Sequence, residues 1–430
     1  MRTGPEQERP DPPQTEQSYN EEVHRYLRRN YVAHLLHGLL GQTGFRLINA
    51  PTLIPAYVLM LSGSELVVGI TRSLQFLGMF LSPLLGASLI EHRKRVLGFG
   101  LWVGASMRVQ ILGIALAGLL LDPRYAVIAI GLFLFLFGFL LGIQGVIFNF
   151  LLSKVIPVSK RGRLLGLRNA LAGATAAAVA YWGGQHLLDI NALGNGYAAT
   201  FLVAFGLTSV GLSMLFFVHE PVPPQMRAPT QLRDRIRELP GLLRADRAFT
   251  HYFLSRALAT MGRMATPFYI VHAKDVIGLS GSSIGLLTAT FIASNSVANL
   301  AWGAMADRTG FRKVFIVSLA LWAVSVVGIM FSGTLSDFVW AFIGIGAGMG
   351  GFQMAAQNMV LEFGDREDLP MRIAVANAAQ EGVGAIGPLL GGVIAVTAGL
   401  NTLYTVAIVF QALAIMMVML WVDEPRHRNS

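Results

Sequence analysis

Gln144 and Asn149 lie in one long apolar stretch of this 430-residue chain, and Gln353 and Asn358 take the same relative places 209 positions later. Arg163 and Arg372 keep that spacing. Arg46 and Arg263 are 217 positions apart, as are Gly86 and Gly303, each of which ends an apolar run before a basic cluster. Repetition of long apolar stretches implies two copies of one helical bundle, with room for a site where the copies meet.

Only 13% of the residues are charged and 54% are hydrophobic, against about 25% charged in soluble domains. A membrane span needs roughly 20 mostly apolar residues. Twelve stretches qualify, at approximately 32–61, 66–90, 96–121, 125–157, 163–189, 196–219, 249–273, 280–306, 313–335, 337–362, 370–397 and 400–422. The expected fold is an all-α membrane protein with twelve transmembrane helices in two pseudo-symmetric six-helix bundles. Its expected units are an N-terminal tail (1–31), a first bundle (32–219), a central loop (220–248), a second bundle (249–423) and a short tail (424–430).

The formal net charge of +9 would suggest nucleic acid in a soluble protein. Here the basic residues fall on one side of the predicted topology. Arg25, Arg28, Arg29, Arg93, Lys94, Arg95, Lys154, Lys160, Arg161, Arg163, the arginines of 220–248, Arg308, Arg312, Lys313, Arg426 and Arg428 share it, and the other side has little beyond Arg124 and Lys274. Positive residues mark the cytoplasmic side, so both termini and the central loop are expected there, with no nucleic-acid partner. The chain has no cysteine, which removes disulfides, thiol catalysis and thiolate metal sites. Residues 1–24 are polar and lack an apolar signal core, so the first span is expected to act as the uncleaved insertion signal. Residues 230–245 alternate charge with Leu232, Ile236, Leu239, Leu242 and Leu243, the pattern of a short surface helix that tethers the halves.

Between spans eight and nine the chain reads Gly303-Ala-Met-Ala-Asp307-Arg308-Thr-Gly310-Phe-Arg312-Lys313. Gly303 would permit close helix packing, Gly310 a tight turn, and Asp307 could face a helix N-terminus. The segment resembles the cytoplasmic loop signature of the major facilitator superfamily, and with the twelve spans, mid-chain loop and repeat the resemblance covers about residues 30–423. It implies a central cavity and alternating access, with Asp307, Arg308 and Arg312 latching the cytoplasmic gate near Arg163 and Gly166.

The sequence also departs from that family. Its first-half copy of the loop is reduced to Gly86-Ala-Ser-Leu-Ile-Glu91-His-Arg-Lys-Arg, without the Asp-Arg-x-Gly core. Leu141 stands where many members carry an arginine before a Gln-Gly pair, so no coupling role passes through that position. Span eleven contains Gly384-x-x-Gly387-Pro388-x-x-Gly391-Gly392, which resembles the family's antiporter signature but lies outside the fifth span where that signature belongs. Its alternatives are an exporter element and a small-residue packing face. Gly344, Gly346, Gly348, Gly350 and Gly351 follow no strand, which argues against a dinucleotide loop.

An arginine at mid-span costs about 2.5–3.5 kcal/mol on insertion scales and implies function. Arg46 lies about 14 residues, roughly 21 Å, into span one, and Arg263 takes a similar place in span seven. The resemblance puts spans one, four, seven and ten on the cavity, where Arg46, Arg263, Gln144, Asn149, Gln353, Gln357 and Asn358 would bind substrate. Glu381 is the acidic residue placed near mid-membrane, beside Gln380. It either exchanges a proton or serves as a fixed partner of one arginine. Two arginines against one glutamate favour an anionic or amphiphilic solute. Arg72 and Arg108 are weaker candidates, Arg168 and Arg256 are placed nearer the cytoplasmic face, and His34 and His37 are expected at the interface, not on a metal.

The expectation is a secondary transporter of a small organic solute, driven by protons or another ion, with export preferred to uptake. It would act as a monomer in a bacterial inner membrane and need no cofactor. No Walker motif or H-E-x-x-H is present and no acidic pair lines the predicted bilayer, so direct ATP drive and a membrane-embedded lipid-modifying enzyme are disfavoured. A non-transporting receptor on the same fold is the remaining alternative.

Overall fold

A computed structural model describes residues 15–90, 93–222, 247–360, 363 and 369–422, which contain helices and no strand. The helices form twelve rods. The first joins α2 (Leu27–Asn49) to α3 (Leu53–Ser62) through a bend of 42°. The second joins α4 (Glu65–Leu81) to α5 (Pro83–Ile90). Next come α6 (Leu97–Leu120), α7 (Pro123–Val155), α8 (Val158–Gly183) and α9 (Gly196–Ser213). A π-turn, Gly184–Leu188, extends α8.

In the second half, α10 (Arg247–Met261) runs through a 3₁₀ segment, Gly262–Phe268, into α11 (Tyr269–Ile277). Then follow α12 (Gly281–Thr309), α13 (Phe311–Phe331), α14 (Leu335–Met359), α15 (Leu369–Ala398) and α16 (Leu400–Trp421). Among the described residues eight single helices are long and apolar enough to cross a bilayer, nine with the bent first rod. The remaining rods are interrupted or carry the buried arginines, and so fail a test of continuous apolar length. Large apolar side chains such as Trp102, Leu120, Leu300, Phe331 and Trp340 lie exposed on the outer surface, the surface that acyl chains cover.

The repeat read from the sequence reappears as paired packing. The first rod packs on α8 and α9, and its counterpart beginning at α10 packs on α15 and α16. The two bundles meet along two seams, α4 against α15 and α8 against α12. Glycines allow this approach: a Cβ at Gly69 would lie 2.3 Å from the Pro388 carbonyl oxygen, and one at Gly285 would lie 2.7 Å from the Gly184 Cα. Gly344, Gly346, Gly348 and Gly351 of α14 likewise fit against α12 and α13, which gives that run a packing role on a helix.

The ends with the basic loops, called the basic end below, are stitched by side chains. Part of the 1–31 tail is helical: α1 (Glu16–Arg25) starts at Thr15, whose hydroxyl accepts from Ser18 N. Glu22 pairs with His219 at 2.6 Å, and Tyr26 stacks on the same imidazole at 3.9 Å. Glu220, the first residue of the 220–248 segment, is buried. Its carboxylate accepts from Val96 N and Leu97 N at the start of α6, and pairs with Lys154 at 2.5 Å. The surface helix expected at 230–245 and the tail 424–430 lie outside the described residues.

Losing one partner of a buried pair leaves an uncompensated charge and costs about 3–5 kcal/mol. Glu220→Gln should therefore lower the thermal midpoint of the detergent-solubilised protein by several degrees. Lys154→Met with Glu220→Leu should recover part of that loss. An unchanged midpoint in Glu220→Gln would remove the pair from the determinants of stability.

Candidate functional site

Each half of the chain breaks its first helix just after an arginine. Pro51 follows Arg46 by five residues, and Pro267 follows Arg263 by four. Proline has no N–H and its ring clashes with the preceding turn, so carbonyls there lose their helical partners. In the first rod Arg72 takes them over: its guanidinium donates to Ala50 O at 2.7 Å, Asn49 O at 3.2 Å and Ile48 O at 3.4 Å. Gln75 accepts from Arg72 at 2.7 Å and donates to Asn49 Oδ1 at 2.8 Å. In the second half, Arg263 lies in the 3₁₀ segment that ends at Phe268, whose carbonyl accepts from the Tyr404 hydroxyl at 2.9 Å.

A cavity of about 410 Å³ lies beside both breaks. Of the residues expected on substrate, Arg46, Arg263, Gln353 and Gln357 line it, and so does Glu381. Gln144, Asn149 and Asn358 do not. The first two are displaced because α7 stands behind α4: a Cβ at Gly138 would lie 2.1 Å from Gln75 O, and one at Gly142 would lie 2.0 Å from Ser82 Oγ. That close approach leaves α7 one lining residue, Leu141, while α4 supplies Arg72, Gln75, Phe76 and Met79. Gln144 is buried with its carbonyl oxygen unpartnered, and Asn358 turns its amide back to Met354 O at 2.8 Å. Spans two, eight and eleven thus line the cavity where span four was expected. Asn49, Thr266, Phe291, Asn295 and Gln380 are further lining residues that no motif marked.

The charged groups in the cavity are held apart. Arg46 donates to Ser296 Oγ at 2.9 Å across the α8–α12 seam. Arg263 stands over the Phe76 ring at 4.7 Å, across the other seam. Glu381 makes no ion pair within 4.0 Å with either arginine, and its Oε2 is buried without a hydrogen-bond partner. Next to it, Gln380 accepts from Arg256 Nε at 3.0 Å, and Asn377 accepts from the same guanidinium at 2.9 Å. Arg256 is buried in the second bundle. The cavity therefore presents guanidinium groups and one carboxylate among amides, aromatic rings and methionines, a lining suited to a polar or amphiphilic anion.

The α8–α12 seam shows which end is closed. Gly184 meets Gly285, and three turns further towards the basic end Gly173 meets Ser296, where a Cβ would lie 2.1 Å from Ser296 Oγ. Two turns beyond, on the same faces, Gly166 and Gly303 have nothing within 4 Å of the space a Cβ would fill. The helices touch at the far end and diverge towards the basic end. Gly303, expected to be closely packed, is open here for that reason. Gly310 has φ +83°, a positive value that favours glycine, at the tight turn expected of it. Arg308 and Lys313 are exposed. Arg312, expected in the latch, instead donates to Val418 O at 3.3 Å and Met419 O at 3.0 Å, capping α16 within its own bundle.

The Gly-Pro run of α15 is a packing face. Gly384 faces Phe76, a Cβ at Gly391 would lie 2.6 Å from the Met264 carbonyl oxygen, and one at Gly392 would lie 3.1 Å from the Leu66 Cα. His34 and His37 are not interfacial: they are enclosed inside the first bundle by α7 and α8. No group of His, Asp or Glu that could hold a metal occurs among the described residues.

Arg72 and Arg46 should separate in experiment. Hydrogen bonds from a charged donor contribute about 1.5–3 kcal/mol each, and Arg72 makes several to a broken helix end. Arg72→Met should thus lower the thermal midpoint well below that of Arg46→Ala, which loses one close hydroxyl contact. Equal midpoints for the two variants would overturn the capping role.

Residues 252–430 match the sequence model of the Major Facilitator Superfamily. An "MFS-type transporter" of Gibberella moniliformis (strain M3125 / FGSC 7600) is 25% identical over 177 residues, 39% of this chain, and the match spans 43% of that protein. The fold is shared with a D-xylose-proton symporter at TM-score 0.71 and 15% identity, over 93% of this chain and 99% of the other. It is shared with the nucleoside transporter NupG at TM-score 0.64 and 15% identity, over 92% and 97%. A bacterial homologue of the iron transporter ferroportin, in an inward-facing state, superposes at TM-score 0.65 and 16% identity over 92% and 99%. The chain thus resembles the Major Facilitator Superfamily, in sequence over residues 252–430 and in fold over 93% of its length.

Proposed function

We propose that this protein is a secondary active transporter that carries a small organic anion across a membrane by alternating access. The observation that carries the proposal is the cavity between the bundles, lined by Arg46 and Arg263 from the two broken helices and by Glu381. The far end is sealed by the Gly184–Gly285 and Gly69–Pro388 contacts, while α8 and α12 diverge at the basic end. With the basic loops cytoplasmic, this is an inward-facing arrangement. The sequence-model match and the transporter folds support membrane transport as the activity.

In the proposed cycle the anion bridges Arg46 and Arg263, and Gln353 and Gln357 complete its hydrogen bonding. Glu381 is the coupling group. As a carboxylate it lies near Arg263 when the cavity is empty, and protonation on solute entry removes a negative charge that would repel the cargo. Rocking of the bundles would then bring Gly166 and Gly303 together and let Asp307 and Arg308 latch the basic end. The Gly384–Gly392 run, the basis for preferring export, packs against Phe76, Met264 and Leu66. A bacterial inner membrane and a monomeric unit belong to the same proposal.

The decisive experiment is a thermal-shift screen of the purified protein against carboxylates, phosphates and sulfonates, repeated with Arg46→Ala and Arg263→Ala. Loss of a charge-assisted hydrogen bond should weaken binding about 10- to 100-fold in each variant. A ligand that binds both variants as well as the parent would refute the site. In proteoliposomes Glu381→Gln should abolish gradient-driven transport and retain counterflow exchange. Intact driven transport in that variant would exclude Glu381 as the coupling group.

A further inference from the structure

A second group of buried nitrogen donors stands apart from the central cavity, inside the first bundle. His34 and His37 on α2 and Arg168 on α8 are at 0%, 6% and 3% relative exposure. All three face one ring. The Arg168 guanidinium stands over Phe148 at 4.3 Å, and the two imidazoles lie 5.7 Å and 6.0 Å from the same ring, centroid to centroid. Gly38 makes the room, since a Cβ there would fall 1.9 Å from Arg168 Nε.

This group differs from the other buried arginines in its partners. Arg108 donates to Thr208 O at 2.7 Å and Gly104 O at 2.6 Å, and Arg72 is satisfied by the α2 carbonyls. By contrast Arg168 Nε and Nη1, His34 Nδ1 and Nε2, and His37 Nδ1 are enclosed with no hydrogen-bond partner. The charged groups acting on the imidazoles are Arg168 and Arg108, and no carboxylate is among them. A buried cation without a counter-charge is unfavourable, and the face of one aromatic ring offsets only part of that cost. The chemistry missing from the cluster is a negative charge that accepts hydrogen bonds.

We propose that His34, His37 and Arg168 form a second anion-binding site, which takes a monatomic anion of the halide class. The size follows from the enclosure: the unpartnered nitrogens are buried within the bundle beside Phe148, which admits a single ion and not an organic solute. Imidazole N–H groups of α2 and guanidinium N–H groups of α8 would be its ligands. The bound ion ties the lower half of the first rod to α8, beneath the Arg46 break.

The test compares thermal unfolding of the purified full chain in sodium chloride and in sodium gluconate at equal ionic strength. The midpoint should be higher by about 2 °C or more in chloride. That difference should vanish in Arg168→Met and in His37→Gln and persist in Arg46→Ala and Arg263→Ala. His37→Gln keeps the guanidinium and carries the test if Arg168→Met does not fold. Crystals grown in bromide should show an anomalous peak within hydrogen-bond distance of Arg168 Nε. Equal midpoints in the parent protein would overturn the proposal. So would a chloride effect lost in Arg263→Ala but kept in His37→Gln, or bromide bound only in the central cavity.

Discussion

Backbone groups released at membrane depth must find partners inside the protein, because the surrounding hydrocarbon offers none. Both first helices of this chain are interrupted beside the cavity, and the consequences spread from there. In the first rod the freed carbonyls at Ile48, Asn49 and Ala50 engage Arg72, and Gln75 locks that guanidinium in place. This arginine, although it lines the cavity, is largely neutralised by peptide dipoles. Arg46 and Arg263 have no such carbonyl cluster. The broken helices thus sort the cavity's cations into one that holds the fold and two left for cargo in the proposed cycle.

Where the bundles can approach is decided by small residues. Gly69 against Pro388 and Gly392, and Gly184 against Gly281 and Gly285, bring backbones together with no side chain between them. Both contacts lie at the far end. Towards the basic end the faces that continue these seams carry Gly166 and Gly303, which meet nothing in this arrangement. Small residues at both ends of one seam would let the same pair of helices close at either end in turn in the proposed cycle. An obligatory large side chain at one end would fix the seam in a single state.

Much of this was legible in the sequence, because lipid imposes simple rules. Span count, the division into halves and the turn at Gly310 follow from apolar length, repetition and the conformational freedom of glycine. Arg46, Arg263 and Glu381 could be placed near the cavity because a charge at mid-span has few other tolerable positions. Gln144 and Asn149 were misplaced by the same reasoning. Their repeat spacing was real, but facing depends on which helix stands in front, and the Gly138 and Gly142 contacts that set α7 behind α4 are not visible in a one-dimensional pattern. Arg312 was assigned to a gate from its motif, whereas the end of α16 lies close enough to claim it. His34 and His37 looked interfacial by their distance from the span's start, and α7 and α8 enclose them.

The seats of Arg46 and Arg263 complete the physical picture. Arg46 belongs to the first bundle and leans on Ser296 of the second, while Arg263 belongs to the second bundle and leans on Phe76 of the first. Neither guanidinium rests on a carboxylate, and neither is supported only by its own bundle. In the proposed cycle a solute that draws either group towards itself would therefore loosen a contact between bundles as it binds. Binding free energy and the balance between open and closed seams are then linked, since a ligand shifts such a balance only through contacts that differ between the states. In the proposed cycle that link would run from span one to span eight and from span seven to span two, following the twofold pattern in the sequence.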